Sequence, residues 1–80
     1  MHIVYVIKSL KNSSKHYVGI TQNLKKRIDG HNSSKTGYAA KYAPWQEETY
    51  ITFRNRTLAQ EFEKYLKSGS GHAFLKKRLI

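Results

Sequence analysis

The chain has 80 residues, with 15 Lys and Arg against 5 Asp and Glu, a formal net charge of +10 and no cysteine. That length bounds it to one small domain burying about 60% of its unfolded surface, and the lack of thiols excludes a disulfide framework or a thiolate zinc site. The charge favours a polyanionic partner, nucleic acid before anionic membrane, because the lysines are scattered and compose no lipid-facing helix.

No apolar run approaches the roughly 18 residues of a membrane span, and the N-terminus lacks the hydrophobic block of a signal peptide, so a soluble, cytoplasmic protein is expected. His2 to Leu10 carries Ile3, Val4, Tyr5, Val6 and Ile7 in an unbroken run, the pattern of a central strand covered on both faces. Lys11 to Lys15 is polar and turn-rich. His16 to Ile20 is the second strand, and only a hairpin can join two strands so close, since a parallel crossover takes about a dozen residues. Thr21 is the expected cap of a helix from Gln22 to about His31. On it Leu24 and Ile28 form a narrow apolar side, while Arg27 and His31, four apart, project together.

Asn32 to Ala43 reads as the longest irregular stretch, with Asn32 to Gly37 as its flexible start; Pro44 disfavours helix at Ala43. Extended chain resumes at Trp45 or Gln46, and Glu48 to Phe53 alternates as a third strand beside the hairpin. Asn55 or Thr57 caps the strongest helix, Thr57 to Lys67, which lines up Leu58, Ala59, Phe62, Tyr65 and Leu66 with Glu63 on the margin. Ser68 to Gly71 ends that helix. His72 to Leu79 is a short last helix with Phe74, Leu75 and Leu79 inward. The order strand, strand, helix, strand, helix, helix gives an α+β fold, a three-stranded antiparallel sheet with three helices packed around it, in one domain over residues 1–80.

Tyr5 and Tyr17 lie on the two arms of the hairpin, where strand pairing brings them together. Two phenols beside Arg27 suit holding a water or a phosphate oxygen, and one can act as a base if a nearby cation lowers its pKa. The alternative is that both are ordinary core tyrosines among the six present. Gly19 permits a close approach, or simply ends a strand. The planar fork of Arg27 suits a phosphoryl oxygen, although a lone helical arginine is more often solvated. His31 either complements the helix C-terminus or contacts a phosphate and relays a proton. Glu63, one of only five acids, can anchor one magnesium ion that keeps several waters, or pair with Lys64 or Lys67.

In this order and spacing, Ile3-Val4-Tyr5, Tyr17-Val18-Gly19, Arg27, His31 and Glu63 resemble the GIY-YIG nuclease domain, with Ile3 standing where the family's name has glycine. The likeness covers nearly the whole chain, which looks like the minimal domain with nothing appended. It implies a divalent-metal-dependent endonuclease, using Mg2+ or Mn2+, that hydrolyses phosphodiester bonds in DNA. It further implies Tyr17 as general base or water-positioning phenol, Tyr5 as its hydrogen-bonding neighbour, Arg27 as the phosphate clamp and Glu63 as the sole protein ligand of the metal. His31 becomes an auxiliary proton relay or phosphate contact, and Gly19 gives close packing near the site.

Lys8, Lys26, Lys41 and Lys67 are the candidates for DNA backbone contacts. Nothing indicates base readout, so branched, nicked or damaged DNA recognised by shape is open as a substrate. A partner protein or self-association is open too, as are roles in DNA repair, recombination, mobile elements and defence. Two other readings compete: a non-catalytic nucleic-acid-binding module of the same fold, and a small basic module that docks on another protein through an exposed apolar patch.

Overall fold

The computed structural model describes residues 1–80. Its centre is strand β1 (His2–Ser9), flanked by β2 (His16–Thr21) and β3 (Trp45–Phe53) in the order β2-β1-β3, both pairings antiparallel. The unbroken apolar run explains the placement, because Val4, Tyr5, Val6 and Ile7 are all buried and only a middle strand covered on both sides can bury consecutive residues. Alternation then divides them. Val4 and Val6 pack with Ala59, Leu66 and Leu75 on one face. Tyr5 and Ile7 pack with Trp45 on the other, where Tyr17, Leu24 and Ile28 lean in.

The β1–β3 register shifts between Val6 and Ile7, so that Val6 faces Thr49 and Ile7 faces Glu47. That extra residue reverses the parity of β3. Trp45 consequently points to the Tyr5 face, where it is buried.

Helix α1 (Leu24–Ser33) begins two residues later than the sequence suggests. Its cap is Asn23, whose Oδ1 accepts the Lys26 N–H at 3.0 Å. Thr21 cannot take that role because it is held in the sheet opposite Ile3; its hydroxyl instead bridges the backbone of Asn23. The stretch read as irregular contains a second helix, α2 (Gly37–Tyr42). Gly37, at φ +78, turns the chain into it, a conformation glycine adopts without steric cost. Two carbonyls tie α2 to the sheet: Ala39 accepts from the Trp45 indole at 2.9 Å and Tyr42 from the Ser9 hydroxyl at 2.5 Å. Asn32, expected to open a flexible loop, is pinned to β3, donating to the Trp45 carbonyl at 3.2 Å and accepting its N–H. With Trp45 so held, β3 starts there, three residues before Glu48.

Helix α3 (Arg56–Leu66) is capped by Asn55, which accepts the Leu58 N–H at 3.0 Å. Its buried stripe is narrower than the apolar pattern: Ala59 and Leu66 are buried, whereas Leu58 and Tyr65 remain exposed. The segment read as a helix stop is a helix start. Ser68 caps α4 (Gly69–Phe74), and a final π-helical turn spans Leu75–Leu79. Gly71 is there for contact, since a Cβ would run into the Tyr65 carbonyl and stand 2.9 Å from the Leu66 nitrogen. Leu75 turns inward as expected, but Phe74 is exposed. No helix is long and apolar enough to cross a membrane.

Candidate functional site

The β1–β2 register sets Tyr5 opposite Gly19 and Ile7 opposite Tyr17, which makes the two tyrosines diagonal neighbours on one face. Their rings stack with centroids 6.5 Å apart and planes 17° from parallel. Gly19 lies within β2 rather than at its end, and it is the floor on which the Tyr5 ring rests. A Cβ there would collide with the Tyr5 hydroxyl and stand 2.6 Å from Cζ, inside any real carbon–carbon contact. Helix α1 then lays His31 over the pair: Nε2 shares a 3.1 Å hydrogen bond with the Tyr5 hydroxyl, and the imidazole packs on Tyr17 at 4.6 Å between centroids. The hydroxyl partner of Tyr5 is therefore His31, and its relation to Tyr17 is ring stacking.

Burial separates the roles of these groups. Tyr5 is buried, and desolvation pushes its phenol up to about 12, against the opposing pull of the Arg27 charge. It stays protonated at neutral pH and is unsuited to be the base. His31 lies in the last turn of α1, where the helix dipole favours imidazolium. Burial prevails there, with the Arg27 charge adding to it, and the pKa is lowered, so His31 is neutral at pH 7. Tyr17 is half-buried and keeps a side open to solvent.

Arg27 is exposed and lines two adjoining clefts. One, of about 430 Å3, includes Lys26 and His31; the other, of about 370 Å3, adds His2 and Arg56. Arg56 escaped the sequence reading, which passed over it as part of the break between β3 and α3. A signal existed: a cation in the first turn of a helix opposes the macrodipole, so its presence asks for an anion nearby.

Glu63 approaches from α3, on the other face of the sheet, yet its charge bears on Tyr5 and raises the phenol further. Its carboxylate accepts from Lys67 Nζ at 2.7 Å, and its side chain is 17% exposed. Of the remaining candidates, Lys8 pairs with Glu48 at 3.5 Å, and Lys41 sits over the Tyr42 ring at 5.4 Å, outside both clefts. No cluster of three or more His, Asp or Glu side chains is arranged to hold a metal. What the donor set fits is a hard ion held by one carboxylate and otherwise by water and phosphate oxygens, with Lys67 as its competitor.

A search of curated proteins returned no match. The family model described as the GIY-YIG catalytic domain matches residues 1–77.

Proposed function

Since the chain belongs to the GIY-YIG catalytic domain family, we propose that it is a divalent-metal-dependent endonuclease that hydrolyses phosphodiester bonds in DNA. The observation carrying this reading is the stacked Tyr5–Tyr17 pair under a neutral His31, at the edge of clefts lined by Arg27. Arg27, with Lys26 and Arg56 beside it, binds phosphate oxygens through its planar fork and stabilises the extra charge that develops in the transition state. Tyr17 orients the attacking water and takes its proton while passing its own phenolic proton to the neutral His31 that packs on it. Tyr5 holds His31 through the shared hydrogen bond and keeps that ring against Tyr17. His31, being neutral, can accept a proton from the tyrosine or from the water it activates.

Glu63 would hold the metal, Mg2+ or Mn2+, after exchanging its Lys67 partner for the ion. When bound, the ion polarises the phosphate and offsets charge on the leaving 3′ oxygen. The test is incubation of the wild type and of Glu63→Ala with labelled plasmid and branched DNA in magnesium, in manganese and in EDTA. Metal-dependent nicking that disappears in the variant is the expected result. The same ion pair supports a second reading, a non-catalytic DNA-binding module, because Lys67 neutralises the carboxylate on which a metal would depend. Salt-sensitive binding by both proteins, with no product in either metal, would select that reading.

A further inference from the structure

The largest concavity in the molecule is neither of the Arg27 clefts. It has a volume of about 570 Å3 and wraps the outer edge of β2, between the end of α3 and the C-terminal turns. Val18, Leu66 and Leu75 contribute an apolar floor, and no acidic side chain lines it. Lys15, Lys67 and Lys76 supply cations on its rim. The Tyr38 ring closes one end, 44% exposed and braced against Tyr42 and Trp45. Its hydroxyl donates to the His16 carbonyl at 3.2 Å, which ties the ring to the strand edge.

Two residues join this concavity to the candidate active site. Tyr17 lines it while its ring packs on His31, and Lys67 lines it while holding Glu63. Whatever occupies it therefore touches the partner of Glu63 and the ring under His31. An isolated phosphate would have no use for the apolar floor, and a free base would have none for the lysines. A nucleotide uses both, stacking its base on an aromatic wall while cations meet its phosphate. In continuous duplex the bases are inside the stack and cannot enter without unpairing.

We infer that this pocket seats one unpaired nucleotide beside the scissile phosphate, directing the protein to DNA with a flap, gap or branch rather than to continuous duplex. The place beside the scissile phosphate rests on the endonuclease reading; the nucleotide seat itself rests on the pocket's lining. The measurement is binding by the wild-type protein in EDTA, where no cleavage occurs. The probes are a duplex with a single-stranded flap, the same flap abasic at its first unpaired position, and the continuous duplex. The flap should bind about tenfold more tightly than either of the other two. 2-Aminopurine at the first unpaired position should change its fluorescence on binding.

His72→Trp, which fills the pocket from an exposed lining position, should remove the preference and leave duplex affinity unchanged. The Lys15→Ala/Lys76→Ala variant should weaken flap binding more than duplex binding, and it serves if His72→Trp does not fold. Equal affinity for flap and duplex, or for intact and abasic flap, would overturn the inference. A flap preference without cleavage in any metal would sustain the nucleotide seat and sink the nuclease; cleavage without the preference would do the reverse.

Discussion

Gly19→Ala is the sharpest probe of how the tyrosine pair is assembled. The added methyl would stand 2.6 Å from Tyr5 Cζ and 2.9 Å from Cε1, with the hydroxyl nearer still. The ring cannot move aside freely, because it is 1% exposed and its hydroxyl is bonded to His31. Overpacking of this kind costs about 1–3 kcal/mol, which for a domain of this size lowers Tm by roughly 4–24 °C. Tyr5→Phe alone should cost about 1 kcal/mol for the lost hydrogen bond. In the double variant the closest clash is gone, so the two costs should fall short of additivity by at least about 0.5 kcal/mol. Urea unfolding of the four proteins, at constant slope, measures this coupling. Strict additivity, or Gly19→Ala within about 0.5 kcal/mol of wild type, would refute the idea that the Tyr5 ring is seated on this glycine.

The other glycines should answer differently. Gly30 lies inside α1, and a methyl added there would meet nothing within 4 Å, so Gly30→Ala should stabilise by about 0.5–1 kcal/mol. Gly71→Ala should destabilise more than Gly19→Ala, because the obstruction is backbone, and thermal unfolding ranks all three. Asn32→Ala removes both bonds to the Trp45 backbone and should cost about 2 kcal/mol by urea unfolding. Lys67→Ala should lower the metal concentration for half-maximal cleavage by up to about fivefold, the worth of an ion pair whose lysine is at the surface; an unchanged metal titration would show that Lys67 does not compete. His16 and His31 are both held below their ordinary value of 6.5, chiefly by burial. The unfolded chain therefore binds more protons just below 6.5, and the stability they contribute is complete above that pH and is lost as pH falls through the lowered native values. Urea midpoints at about pH 7.5 should exceed those at about pH 5.5, with a smaller difference in His16→Gln/His31→Gln.

Elements governed by one dominant physical cause are legible in the sequence. The run Ile3 to Ile7 suits a middle strand, and it is one; Arg27 and His31, four apart, line one cleft beside α1. Elements decided between two competing causes are not. Thr21 and Asn23 are both good caps, and sheet pairing, invisible in a local window, decides for Asn23. Gly69 and Gly71 carry the signature of a helix end, yet the need of Tyr65 and Leu66 for a side-chain-free neighbour puts Gly71 inside a helix. Helix α2 is hidden in the sequence because Gly37 and Pro44 bracket only six residues, and one of its two ties, to Ser9, comes from far away in the chain. At the site, the residue types were readable, but the pairing of Tyr5 with His31 and of Glu63 with Lys67 depends on which side chains meet in space. Arg56 and the pocket on the β2 edge arise wholly from the way distant elements converge.

The middle strand precedes in the chain everything that covers it. Both faces of β1 are sealed by residues that arrive much later: Trp45 on one side, Leu66 and Leu75 on the other. During synthesis this apolar segment emerges before its covers, with only its β2 partner at hand, and a lone hairpin is marginal in water. Stable structure must wait until Leu66 and Leu75 have been added, so these elements fold together rather than one after another. Until then the strand Ile3 to Ile7 is an open edge. The high positive charge carried by the rest of the chain keeps neighbouring copies apart through that interval.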